Sequence, residues 1–320
     1  MPPSSILGLS GGACVLFAGQ SAQREGMCRG LWQIPAARDV LRRLGPVLGE
    51  DLEELTTRTT SEQLALNANS QRAIHAHHLG HWFAFRARHP EPPVAGVIGH
   101  SVGVVAALVA TGALSVEDSG VFLAERARAF SDVCAKLSPP QGLAAVATDD
   151  LDDLIEELPR FPGLALALRN SRGKGTVGGP IGQIERLTRE ARERGWPIRV
   201  VPLEVEGPYH TAAFTSVGPR LARVLSEITV HPPRVPVFMG TSGRAETDPR
   251  RIRELLARQP SSPERHWDAV RSAYAHGCRA FLEVASSPQP VTWISDQLVD
   301  EKGEPLPGVR TRAVTTEELL

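Results

Sequence analysis

Val94-Ala-Gly-Val-Ile-Gly-His-Ser101-Val-Gly-Val-Val-Ala-Ala-Leu-Val-Ala110 is the stretch on which the fold turns. Val94 to Ile98 is a short unbroken apolar run, the pattern of a strand buried on both faces of a parallel sheet. From Val104 the run has strong helix formers in its alanines and leucine, and Gly112 marks the helix end. Between them, Gly99-His100-Ser101-Val102-Gly103 fits G-x-S-x-G, a tight strand-to-helix turn that exposes a serine hydroxyl. The N–H of the following residue can face a developing oxyanion there, and the dipole of the helix beginning at Val102 favours negative charge.

Upstream, Ala13 to Ala18 is a second buried-strand run, closed by Gly19-Gln20. Helical patterns cover 36–49 and 61–88. Another covers 116–137 behind Ser115, with Glu117 and Asp118 in its first turn. The segment after Pro139-Pro140 has a different texture. Strands at 142–147, 164–168, 175–178 and 198–205, with helices at 151–158 and 181–195, make a βαββαβ order, the ferredoxin-like pattern. A helix (211–228), a strand (235–239), two helices (248–258 and 264–277) and a last buried strand (280–284) return to the first texture. The expected architecture is therefore α/β: an α/β-hydrolase-like large subdomain with a parallel sheet (1–138 and 206–300). A ferredoxin-like small subdomain (139–205) is inserted in it, and a loose polar tail (301–320) follows. No internal repeat is present.

The chain has 320 residues, 42% of them hydrophobic, with 35 basic against 36 acidic side chains. That content suits a folded core and excludes disorder. A net charge of −1 gives no global attraction for nucleic acid or a membrane surface. Lys136, Lys174 and Lys302 are the only lysines, leaving 32 arginines, planar donors for carboxylates and phosphates. Cys14, Cys28, Cys134 and Cys278 are widely spaced and form no CxxC pair. They read as free thiols in a reducing compartment. No run reaches the ~18 apolar residues of a membrane span. The apolar N-terminus lacks a charged leader region, so it reads as the run into the first strand and the protein as cytoplasmic.

A serine nucleophile needs a base. Four of the ten histidines crowd into His75-Ala-His77-His78-Leu-Gly-His81. His77 and His81 share a helical face, but no carboxylate or cysteine stands beside them for a metal, so they read as a polar helix face. His210, in Glu206-Gly-Pro-Tyr-His210-Thr, follows a strand and precedes a helix on a loop stiffened by Gly-Pro. Spacing alone leaves it one candidate among several.

Several segments together resemble the malonyl-CoA:acyl carrier protein transacylase family, the acyltransferases of fatty acid and polyketide synthases. They are Leu16-Phe-Ala-Gly19-Gln20-Ser-Ala-Gln23 with Gly26-Met27, the Gly99–Gly103 turn with the helix after it, and Asn170-Ser171 with Gly178-Gly179. Tyr209-His210-Thr211, residues 233–243 and Phe281-Leu-Glu-Val284 complete the set, and the likeness covers about residues 13–295. The family's architecture includes the same inserted subdomain.

The resemblance implies Ser101 as nucleophile and His210 as general base, oriented by the backbone carbonyl of Gln259 with no acidic third member. It implies an oxyanion hole from the main-chain N–H groups of Gln20 and Val102. Arg126, 25 residues after Ser101, matches the arginine that pairs with the free carboxylate of a malonyl-type group. Gln71, His100, Asn170 and Tyr209 fall at substrate-pocket positions. The implied chemistry is ping-pong acyl transfer with no bound cofactor and no metal. Acyl-coenzyme A and phosphopantetheine thioesters are the substrates, and an acyl carrier protein is the partner.

Some positions depart from the family pattern. Gly19-Gln-Ser-Ala-Gln23 stands for GQGSQ, Val104 for an acidic residue, Arg72 for a proline, and Glu283-Val-Ala-Ser-Ser287 for EVGPG. Three readings keep the serine chemistry: loading of a malonyl-type unit from coenzyme A, transfer of a preassembled acyl or aminoacyl unit between two carrier proteins, and thioester-editing hydrolysis. A catalytically silent docking partner is the reading from another class, and Ser101, His210 and Gln20 argue against it.

Overall fold

The computed structural model describes residues 12–20, 22–90 and 93–320. Residues 1–11 and Ser21 of the opening motif lie outside the described residues. In chain order the first part holds β1 (Ala13–Phe17), α1 (Pro35–Leu48), α2 (Leu52–Thr57), α3 (Ser61–Ala65), α4 (Asn67–Arg88), β2 (Val94–Gly99), α5 (Gly103–Ala110) and α6 (Val116–Cys134). The middle holds β3 (Gln141–Ala147), α7 (Leu151–Glu157), β4 (Ala165–Arg169), β5 (Lys174–Pro180), α8 (Ile181–Glu193) and β6 (Arg199–Pro202). The last part holds α9 (Val217–Glu227), β7 (Val237–Met239), β8 (Arg244–Glu246), α10 (Pro249–Arg258), α11 (His266–Ala275), β9 (Ala280–Val284), α12 (Pro290–Gln297), β10 (Arg310–Val314) and α13 (Thr316–Leu319).

The larger sheet runs β10-β9-β1-β2-β7-β8, parallel throughout except for β8. Every residue of β1 is buried, and its pleat feeds two cores. Ala13, Val15 and Phe17 pack on the side of α1, α4, α5 and α6, while Cys14 and Leu16 pack on the side of α11 and α12. That is why the run is apolar without alternation. The smaller sheet runs β4-β5-β3-β6, fully antiparallel, and closes a separate core around Val146, Leu154, Phe161 and Val177 under α7 and α8. Together they form the expected α/β fold with a small ferredoxin-like subdomain.

Four expectations are corrected. The 61–88 helix is broken at Leu66, which is extended (ψ 129°) between a Thr60–Gln63 capping box and α4. The 211–228 helix is a 3-10 turn at Ala212–Phe214 followed by α9. The histidines of α4 are no solvated face: His75, His77, His78 and His81 are all buried, because α4 is packed against α1, α5, α6 and α13. Distant hydroxyls partner one ring nitrogen in three of them, with His75 Nε2 2.9 Å from Ser119 Oγ, His77 Nε2 2.7 Å from Ser286 Oγ, and His81 Nε2 2.8 Å from Thr316 Oγ1. The 301–320 tail is not loose, since β10 extends the parallel sheet beside β9 and α13 buries Leu319. As an edge strand β10 buries only Val314 fully, and so carries a polar sequence.

All four cysteines are free, and Cys134 alone is only partly buried. Among the described residues no helix is long and apolar enough to cross a membrane, and no group of three or more His, Cys, Asp or Glu side chains is placed to hold a metal.

Candidate active site

Ser101 sits on the turn between β2 and α5 with φ 51°, in the left-handed region. A Cβ on Gly99 would collide with the backbone of Val104, and one on Gly103 with the carbonyl oxygens of Phe17 and Ala18 at the end of β1. The two glycines thus let the chain turn back and let α5 start against β1, which leaves the serine projecting.

His210 comes from the loop after β6, also at positive φ (64°), and is held by its N–H on Pro260 O at 2.8 Å. Its Nδ1 lies 3.0 Å from the Gln259 carbonyl, which only accepts, so Nδ1 carries the proton. Nε2 is then an acceptor for the Ser101 hydroxyl, 2.7 Å away. Burial, and next the charge of Arg126, push the imidazole pKa down to about 3, with the Gln259 carbonyl acting in the opposite sense. The ring is neutral near pH 7, the form a base requires.

Gln259 binds with all of its polar atoms. Its side-chain Nε2 donates to Ser101 O at 3.0 Å, and its Oε1 accepts from Arg126 Nη2 at 3.3 Å. Arg126, on α6, is 1% exposed; Nη1 donates to Gln71 Oε1, and its guanidinium stacks 4.3 Å over Phe130. Gln71 in turn donates to Asn67 Oδ1, on the first turn of α4 set by the break at Leu66. Burial lowers the arginine's pKa to about 10, opposed by the negative side of Glu264. Arg126 therefore stays charged.

A cavity of about 410 Å³ opens over Ser101 between the two sheets. Gln20, His100, Asn170, Tyr209 and His210 line it, but neither Arg126 nor Gln71 does. Its far wall is the apolar face of β3 and β6 with the loop beyond, including Leu143, Val201 and Leu203. His100 Nε2 lies 3.1 Å from Asn170 Oδ1, and its ring packs edge-on to His266 and Trp293. Gln20 Nε2 donates to Ser70 Oγ at 2.8 Å, tying the end of β1 to α4. Tyr209 stands in an aromatic group with Phe130 and Phe214.

The Acyl transferase domain family model matches residues 15–307. The chain belongs to this family. It is 30% identical over 277 residues to the malonyl CoA-acyl carrier protein transacylase of Bacillus subtilis, covering 84% of this chain and 85% of that protein. It is 28% identical over 307 residues to a spectinabilin polyketide synthase system protein of Streptomyces orinoci, covering 91% of this chain but 14% of that much longer one. The crystal structure of MCAT from Mycobacterium tuberculosis superposes with a TM-score of 0.86 at 25% identity, covering 96% of this chain and 98% of that one. The protein is thus an acyltransferase.

In this acyltransferase the residues expected from sequence fall into two groups. Ser101, His210, Gln20, His100, Asn170 and Tyr209 line the cleft; Val102 is buried next to Ser101, the Gln259 carbonyl holds the far side of the His210 ring, and Arg126 and Gln71 sit behind the Ser101–His210 pair in full burial. Sequence reasoning missed His266 and Trp293, which pack against His100, and above all Glu264. Glu264 is 0% exposed, and its Oε1 accepts from Ser101 N at 3.3 Å. Its Oε2 lies 4.0 Å from His210 Nδ1. In the sequence it is one acid before a helix, indistinguishable from an ordinary first-turn carboxylate.

Proposed function

We propose that this acyltransferase carries a malonyl-type acyl group from a coenzyme A thioester, through an acyl-Ser101 intermediate, to the phosphopantetheine thiol of an acyl carrier protein in fatty acid or polyketide synthesis. The observation that carries the reading is the 2.7 Å Ser101–His210 contact at the cavity floor, with the far side of the imidazole on a carbonyl. His210 Nε2 takes the Ser101 proton as Oγ attacks the thioester carbonyl. The oxyanion is met by the main-chain N–H groups of Gln20 and Val102, donors of a kind that contribute ~3–4 kcal/mol each. The C–S bond breaks, the coenzyme A thiolate takes the proton from His210, and the acyl group remains on Ser101. A carrier-protein thiol then gives its proton to His210, attacks the ester, and returns Ser101 to its starting state. Arg126 donates to two neutral glutamine oxygens and stays a cation with Glu264 nearby, and that retained charge supports a carboxylate-bearing acyl group.

One observation favours a second reading. The cavity reaches along the apolar wall of β3 and β6, and Arg126 is not part of its lining. That shape suits a longer preassembled acyl unit handed between two carrier proteins. Intact-protein mass spectrometry separates the two. A malonyl adduct from malonyl-CoA that is absent in Ser101→Ala and weakened in Arg126→Ala supports the first. Labelling from an acyl-loaded carrier protein alone supports the second. Thioester loss with no acylated acceptor refutes transfer and leaves hydrolysis.

A further inference from the structure

Glu264 is a fully buried carboxylate beside the reacting pair, and the Ser101–His210 chemistry as written leaves it without a task. Its backbone is pinned at both sides: its N–H donates to Ala167 O at 2.8 Å, and its carbonyl accepts from Arg169 N at 2.8 Å, extending β4 by one parallel bridge. The side chain runs from there under the serine turn. Gly240 leaves room for it, since a Cβ at that position would collide with Oε1. Oε1 is satisfied by the Ser101 N–H, whereas Oε2 has no hydrogen-bond partner among the described residues and lies 4.0 Å from His210 Nδ1.

The electrostatic need is specific. When Ser101 attacks, His210 becomes an imidazolium while buried next to Arg126, a permanent cation whose charge already opposes protonation of that ring. A carbonyl dipole from Gln259 offsets part of this, and a negative charge on the same side of the ring offsets more.

We propose that Glu264 is a positioning residue for acyl transfer, its carboxylate fixing the Ser101 turn through the Ser101 N–H and stabilising the His210 imidazolium against Arg126. This rests on Ser101 and His210 being the reacting pair. The serine proton still moves from Oγ to Nε2; Glu264 takes none. The charged and titratable groups around it are Arg126 from α6 and His210 from its loop, with His100 beyond Ser101 and His266 two residues along the chain. Burial raises the Glu264 pKa to about 7, against the pull of the Ser101 N–H, Arg126 and the Gln259 side chain, so its charge develops across neutral pH.

The test uses a fluorophosphonate, which reports serine activation whatever acyl group the enzyme prefers: an Oγ–P bond forms, P–F breaks, and the serine proton passes to His210. The rate of Ser101 labelling is followed by mass spectrometry from pH 5.5 to 9. The wild type should show a step up across neutral pH. Glu264→Gln keeps an acceptor for the Ser101 N–H but removes the charge. It should lose the step and label about tenfold more slowly at pH 8, as expected for an opposite charge within ~4–6 Å. Glu264→Asp retains the charge and should retain the step, and thermal melts establish that both variants are folded. A Glu264→Gln profile that superposes on the wild type overturns the proposal, as does a folded Glu264→Asp without the step. Failure of the wild type to label at Ser101, with Ser101→Ala indistinguishable from it, instead overturns the reading of the reacting pair.

Discussion

His78 gives the sharpest test of how α4 is packed. Its ring is buried edge-on against Phe17, with centroids 5.6 Å apart at 78°, and neither ring nitrogen has a hydrogen-bond partner among the described residues. Burial lowers its pKa from 6.5 to about 3, and the neighbouring charges of His75 and His81 act in the same direction. The folded protein therefore keeps this ring neutral down to about pH 3, while the unfolded chain takes up a proton below about pH 6.5. Between those limits the unfolded state binds one proton more, so stability is complete above the unfolded pKa and is lost as pH falls. The loss is about 1.4 kcal/mol per pH unit, or about 2 kcal/mol by pH 5. His78→Phe removes that proton while keeping a ring. Urea unfolding of both proteins between pH 7.5 and 5 should show the variant gaining about 2 kcal/mol relative to wild type over that range. A constant offset from repacking cancels in this comparison. So do the opposite contributions of Glu264 and Glu283, whose pKa values burial raises to about 7 in both proteins. Parallel stability curves would refute the reasoning, because they require His78 to titrate alike in the folded and unfolded chains.

Three further outcomes follow from the geometry. Gly103→Ala should push α5 away from the carbonyls ending β1, separating the Gln20 and Val102 N–H groups and slowing serine labelling by about 100-fold; labelling at the wild-type rate would show that the contact relaxes freely. Ser101→Gly should abolish acylation yet raise stability in urea by about 1 kcal/mol, because φ 51° costs a serine what it does not cost a glycine. Lys174 and Asp296 pair across the cleft mouth while both side chains remain largely exposed, so Lys174→Ala should change stability by less than about 1 kcal/mol. A larger loss would mean that this bridge, and not β4 and its neighbours, holds the subdomains together.

Much of the architecture is legible because its signals are local. The unbroken apolar runs of β1, β2 and β9 reflect burial on both faces, and the βαββαβ order of the insert follows from alternating patterns that need no partner to be recognised. The elements misread are those whose burial depends on something distant. β10 is polar because it is an edge, and the α4 histidines look like surface because their partners are hydroxyls 44, 209 and 235 residues away. The break at Leu66 is equally silent in periodicity, yet it brings Asn67, Ser70 and Gln71 toward the site.

The same division runs through the site. The turn carrying Ser101 is written within five residues, Gly99 answering to the backbone of Val104 in the same turn, while Gly103 answers to the carbonyls of distant β1. Which histidine meets the serine, and at what charge, is not local: His210 is 109 residues on, and its basicity is set by burial, a cation on α6 and a carbonyl on Gln259. The family resemblance implies a pocket position for Arg126, and only packing shows it buried behind the reacting pair at 1% exposure. Short-range sterics and hydrophobic runs are properties of neighbouring residues, so they can be read along the chain. Burial, desolvation and the distances between charges exist only once the chain has closed on itself, and these decide which of the candidate groups is a base, which stays charged, and which, like Glu264, matters at all.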